Sequence, residues 1–258
     1  MSAKKLWVSF YTIVRKDVMR IFKIWPQTFL PSVITSVLYF LVFGTVLGER
    51  IGEVNGVSYL EFVVPGLVML AVVTNSFSDV ATVFFVSKFF SRNIDEILVS
   101  PTPPSVIIAG FVGGGIVRGV LVGVLVLLVA SFFVPLSFAH PFVTVLFLIL
   151  SSLIFALAGL VNGIYAKSFD GISIVPTFVL TPLVYLGGVF YSVSALPEFW
   201  QKLSVINPIF YLINGFRYGL LGISDVPILT AVIVLVGLSA ALIGVSWYFI
   251  RIGLGLRQ

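Results

Sequence analysis

Two side chains of opposite charge, Asp79 and Arg118, stand inside long apolar runs of this chain. An arginine near the middle of a bilayer costs at least ~2.5–3.5 kcal/mol on insertion scales, so it needs a partner or water. At the rise of a helix, Arg118 lies about 14 residues, or ~21 Å, beyond the start of its helix after the Lys88–Pro104 link, and Asp79 about 11 residues, or ~16 Å, from the end of its own helix near Phe90. If neighbouring runs cross in opposite directions, both charges fall within a turn of one depth. The expectation is an intramembrane ion pair that stabilises helix packing or takes part in gating. It would make a poor proton relay, because arginine does not release its proton.

Other reactive constellations are missing. No G-x-x-x-x-G-K-[ST] motif occurs, and Ala166-Lys167-Ser168 lacks the glycines whose amides would cradle phosphate. The sole histidine, His140, precedes Pro141 in a short turn without a second ligand or acid beside it. There is no G-x-S-x-G elbow and no H-E-x-x-H pair, and the absence of cysteine excludes disulfides and thiolate metal sites. A membrane enzyme is therefore unsupported, and no cofactor is expected in this chain.

The elements that must hold these residues follow from composition. With 59% hydrophobic and 10% charged residues, the chain cannot cover itself with a water-facing surface, so the bilayer is its solvent. The reading is an all-α membrane protein with six transmembrane helices, an amino-terminal amphipathic interfacial helix and a broken re-entrant external hairpin before the last span. The predicted spans are Gln27–Gly48, Phe62–Val86, Val106–Val134, Phe142–Ala166, Ile172–Ser192 and Pro227–Ile250, within one domain of residues 1–258. The amino-terminal segment, the Lys88–Pro104 and Lys167–Gly171 links and the carboxyl end hold eleven Lys or Arg, against three in the opposite loops, Arg50, Lys202 and Arg217. The excess of positive charge predicts both termini in the cytoplasm. The net charge of +5 flanks apolar runs, where it meets anionic lipid, so nucleic acid is not an expected partner.

Three elements lie outside the spans. Residues 4–25 place Trp7, Phe10, Val14, Val18, Ile21 and Trp25 at helical spacing, with Lys16, Arg20 and Lys23 on another side, as in a helix lying at a membrane surface. Residues 193–226 hold two short stretches broken at Asn207-Pro208, each too short to cross a bilayer of ~30 Å. The Lys88–Pro104 link mixes charge with Ile94, Ile97 and Leu98 and stops at prolines, which suits a short docking helix for a cytoplasmic partner. Within the third span, Gly110, Gly114, Gly115, Gly119 and Gly123 form a packing stripe whose partner is either another helix of this chain or a second copy. The longest stretch outside the spans is about 34 residues, below the ~50 of a small domain, so any ATP must be handled by another polypeptide.

The stretch Arg92-Asn-Ile-Asp-Glu-Ile-Leu-Val-Ser-Pro101 resembles the cytoplasmic motif of ABC-2 type transporter permeases. So do Leu186-Gly-Gly-Val-Phe-Tyr-Ser192, Leu196-Pro197 and Ile206-Asn-Pro-Ile-Phe-Tyr-Leu-Ile-Asn-Gly-Phe-Arg217, an Asn-Pro with an arginine nine residues on. The resemblance runs along nearly the whole chain. It implies a permease that pairs with a second copy of itself and with two copies of a cytoplasmic P-loop ATPase, which bind the ATP and magnesium. It further implies export across the bacterial inner membrane. By the same resemblance Arg92, Asn93, Asp95 and Glu96 form a coupling helix, and Arg15, Lys16 and Arg20 sit on a connecting helix near the ATPase. Asn207, Pro208 and Arg217 belong to an external re-entrant motif. Motion of the coupling helices would pass to the spans through the glycine stripe and the Pro176 and Pro182 interruptions.

A secondary transporter or channel that works without ATP is the alternative. It predicts an internal repeat and a carboxylate relay in the spans, and neither stands out in the sequence. The spans offer mostly aliphatic and phenyl surface with few polar groups, notably Asn75 and Asn162, which favours an amphipathic, lipid-like or drug-like cargo. Tyr39, Tyr185 and Tyr191 are too few to mark an aromatic path for a sugar polymer.

Overall fold

A computed structural model describes residues 2–90, 94, 96 and 99–253. Six helices are long and apolar enough to cross a membrane: Trp25–Leu47, Tyr59–Phe89, Pro104–Ala130, Pro141–Tyr165, Phe169–Leu186 and Ile228–Ile252. These are called the first to sixth spans below. The described fold is helical apart from a two-stranded ribbon, Glu53–Val54 paired antiparallel with Val57–Ser58.

Helix ends follow local chemistry. The second span starts with a reciprocal cap: Glu61 N–H donates to Ser58 Oγ at 3.4 Å, and Ser58 N–H donates to Glu61 Oε2 at 3.2 Å. The third and fourth spans open on Pro104 and Pro141, whose missing N–H would have no partner in a first turn anyway. The fifth span ends at Leu186, short of the Ser192 expected from hydropathy. Gly187-Gly188 interrupts it, and Gly188 adopts φ +80, open to glycine at little cost. The third span stops at Ala130 rather than Val134.

Burial divides the bundle. In their most apolar windows the second and fourth spans are 67% buried, against 11% for the first and 17% for the fifth and sixth. The second, third and fourth spans therefore form the centre, and the other three present most of their apolar surface outward. Phe62, Met69, Phe77, Val122 and Phe147 lie in one large cluster, while Phe84, Ile94, Ile107 and Leu160 form a second toward the other end.

Two spans carry π-helical turns, Val42–Leu47 in the first and Pro176–Leu180 in the fifth. In the fifth, Thr181 N–H and Oγ1 both donate to Pro176 O, the hydroxyl at 3.0 Å, and Asn162 Nδ2 donates at 3.0 Å to Ile172 O, the carbonyl that the missing Pro176 N–H leaves open. Pro182 lies just beyond, in the first turn of Thr181–Leu186.

The amphipathic helix, Ala3–Lys23, ends at Ile24, and Trp25-Pro26 already opens the first span. The hairpin before the sixth span consists of Glu198–Ile206 and Pro208–Leu221. Asn207 separates them, its Oδ1 accepting from Ile209 N–H at 3.0 Å and its Nδ2 donating to Leu183 O.

Candidate functional site

The amphipathic helix is seated by glycine. A Cβ at Gly110 would come within 2.8 Å of Ile13, and one at Gly114 would collide with the Asp17 carboxylate. Farther along the same helix, a Cβ at Gly119 would collide with Ser76, and one at Gly123 would meet Leu148 at 2.7 Å and Val72 at 2.8 Å. The glycine stripe thus receives the amphipathic helix at its beginning and the second and fourth spans beyond, all within this chain. Trp7 and Trp25 stay 65% and 56% exposed, as rings at a membrane interface would be.

That seating turns Asp17 and Arg20 inward. Arg20 Nε and Nη2 donate to Asp17 Oδ1 at 2.9 and 2.6 Å, and Nη2 also reaches Asp79 Oδ1 at 2.6 Å. The same Asp79 oxygen accepts from Arg118 Nη1 at 2.7 Å, and Arg118 Nη2 donates to Asn75 Oδ1 at 3.3 Å. Asn75 Nδ2 continues to Ser32 Oγ at 3.1 Å. Two carboxylates and two guanidiniums therefore link the amphipathic helix to the first, second and third spans with no net charge. Asp79 is 1% exposed, so withdrawing either guanidinium would leave a carboxylate short of countercharge. Asp17 lies outside the spans. Burial pushes its carboxyl up to about 6, the charge of Asp79 acts in the same direction, and Arg20 opposes both.

Sequence reasoning placed Asp79 and Arg118 near one depth and left Asp17 out. It also put Arg20 on the solvent side with Lys16, whereas the structure turns Arg20 into the bundle. Arg15 and Lys16 remain exposed. The signal that could have found Asp17 is its i,i+3 spacing to Arg20 on a helix whose other charges are all basic.

Two cavities meet this network. One, of 740 Å³, lies between the amphipathic helix, the second span and the link, with Asp17, Arg20 and Glu96 in its wall. The other, of 280 Å³, is a groove between the first and second spans, reaching Asn75 and Arg118. Among the residues expected to couple to a partner, Arg92, Asn93 and Asp95 lie outside the described residues. Glu96 is exposed, and Ile94 beside it is buried in the smaller apolar cluster.

The hairpin forms a third polar centre. Arg217 is 1% exposed, donates from Nη2 to Gly188 O at 2.8 Å, and stacks its guanidinium 3.9 Å from the Phe62 ring centroid. Gly219 and Gly215 admit Thr144 and Phe147 of the fourth span against the hairpin. Asp225, in the loop after it, receives Ser192 Oγ at 2.8 Å and donates its own N–H to Asn214 Oδ1 at 2.9 Å. Asn207, Pro208 and Arg217 therefore lie on one packed unit that clasps the end of the fifth span.

The chain is similar to known proteins over most of its length. A family model described as "ABC-2 type transporter" matches residues 8–221. The chain is 54% identical over 253 residues to the inner membrane transport permease YadH of Escherichia coli (strain K12), covering 98% of each chain. It is 25% identical over 207 residues to nodulation protein J of Rhizobium leguminosarum bv. viciae, covering 77% of this chain and 78% of that one. The family match runs from the amphipathic helix to the end of the hairpin, and the chain belongs to the ABC-2 type transporter family.

Proposed function

We propose that this chain is the membrane permease of an ABC exporter, working as a homodimer with two copies of a separate cytoplasmic ATPase that binds ATP and magnesium. The observation that carries this reading is the Arg20–Asp79 contact, which ties a helix outside the spans to the buried centre of the bundle. A force applied to that helix or to the neighbouring link must move the second and third spans or break a buried ion pair. Arg15 and Lys16 remain exposed on the same helix, available to the ATPase or to anionic lipid. Arg92, Asn93, Asp95 and Glu96 supply the coupling contacts in this account.

The outward apolar faces of the first and fifth spans supply the contact with the second copy, and lipid covers the rest. Both termini lie in the cytoplasm, following the distribution of basic residues, and the name of the E. coli relative supports placement in the inner membrane. The hairpin around Asn207, Pro208 and Arg217 closes the external end of the path. The cargo is amphipathic, lipid-like or drug-like.

The test is affinity purification of the tagged chain from its native membrane in mild detergent. The expected result is a P-loop ATPase recovered in equal amount, with recovery or hydrolysis lost in Asp95→Arg and Glu96→Arg. Recovery of the chain alone, also from lipid nanodiscs, would turn the reading toward an ATP-independent transporter.

A further inference from the structure

The groove between the first and second spans is unusual for an apolar helix pair. One wall carries Thr35 and Ser36, the other Ser78, and Arg118 closes the inner end. Serines and threonines in apolar helices commonly satisfy their hydroxyls on the carbonyl four residues earlier, as Thr74 does on Leu70 at 2.8 Å. Thr35, Ser36 and Ser78 make no side-chain hydrogen bond among the described residues, although Ser36 is only 5% exposed. Arg118 Nε is likewise buried without a partner among them. Hydroxyls without a protein partner along a groove wall mark the place of a hydrogen-bonding occupant.

The open groups define that occupant. Arg118 is already held by Asp79 and Asn75, so the inner wall presents a donor without net charge. The free hydroxyls both donate and accept, which matches other hydroxyls better than a phosphate or an ammonium. Leu67, Leu70 and Tyr39 continue the wall with apolar surface. A volume of 280 Å³ leaves room for one sugar-sized head and not for a chain of them.

We infer that this groove binds the uncharged, polyhydroxylated head of an amphipathic molecule, its apolar tail lying along the first span, and that this molecule is cargo. The inference rests on the transporter reading only for the word cargo, since binding needs no ATPase.

The test uses the chain alone in lipid nanodiscs with radiolabelled decyl glucoside, competed by decyl phosphocholine and decyl phosphate. Saturable binding near one per chain is expected, resisting both competitors. It should weaken about tenfold in Ser36→Ala/Ser78→Ala, the effect of two hydrogen bonds, and be unchanged in Thr181→Ala on the fifth span. Because the chain has no cysteine, Ser78→Cys supplies a single thiol, and decyl glucoside should protect it from maleimide. Non-saturable binding, equal competition by either charged head, or indifference to the double substitution and to the thiol would overturn the site. Binding that persists unchanged when the partner ATPase is trapped with vanadate would identify a resident lipid and overturn the cargo role. A chain that binds the glucoside but recovers no ATPase would leave the site standing and sink the exporter reading instead.

Discussion

Arg20 Nη2 and Asp79 Oδ1 are 2.6 Å apart across 59 residues of sequence, and that contact joins a surface helix to the interior of the bundle. Asp79 also accepts from Arg118, so a single carboxylate oxygen anchors two guanidiniums. Removing Asp79 leaves Arg118 without a carboxylate, held by Asn75 alone, and leaves Arg20 with Asp17 alone, whereas removing Arg20 leaves Asp79 with Arg118. Asp79→Ala should therefore cost ~3–5 kcal/mol, the range for breaking a buried pair, and Arg20→Ala, whose side chain is 35% exposed, clearly less. Thermal unfolding in one detergent checks the order. A simple charge swap of Asp79 and Arg118 should not restore stability, because it sets an arginine against Arg20.

Glycine at 114 keeps the Asp17 carboxylate against the third span. Gly114→Ala should destabilise the chain by ~1–3 kcal/mol through overpacking against a side chain that cannot retreat without dragging its helix. Gly244→Ala, with nothing within 4 Å of the added methyl, should be neutral or stabilising by about 0.5–1 kcal/mol. Equal midpoints for the two variants would contradict the seating of the amphipathic helix.

Asp17 gives the cluster a pH dependence with a definite sign. Its carboxyl is raised from 3.8 to about 6, so the folded chain binds a proton more tightly than the unfolded one. That contribution to stability is full below 3.8 and is lost as pH rises through about 6. Between pH 7.5 and pH 5, on the order of 1 kcal/mol of stability should be gained in the parent and be absent in Asp17→Asn. Thermal midpoints of the pair, differenced at each pH, isolate the effect from other titrating groups.

Arg217 is held by one carbonyl and one ring. Arg217→Lys keeps the charge but loses the planar stack on Phe62 and the fixed reach to Gly188 O, so it should behave more like Arg217→Ala than like the parent. Limited proteolysis of the 187–197 segment checks this, since loosening the hairpin should expose it.

The six spans were legible because apolar runs of sufficient length leave a bilayer helix little alternative, and the hairpin because its halves are too short to cross. The end of the fifth span was misread because hydropathy does not register the conformational break at Gly187-Gly188. Rise per residue puts Asp79 and Arg118 near one depth, but the rotation of the amphipathic helix was not legible. A helical wheel groups Arg20 with Lys16, and only the hollow at Gly114 shows that Asp17 and Arg20 face the bundle. The glycine stripe announced close packing without its partners, since glycine admits any helix that fits. The groove was invisible because Thr35, Ser36 and Ser78 are sparse in sequence and meet only when two spans lie side by side.

The most direct measurement follows maleimide reactivity of Ser78→Cys in the purified complex with its ATPase, with and without vanadate trapping. Trapping should change the reactivity in the parent background. In the Arg20→Gln background the change should vanish while ATP hydrolysis continues, because the link from surface helix to interior has been cut. A change of the same size in both backgrounds would contradict transmission through Arg20 and Asp79.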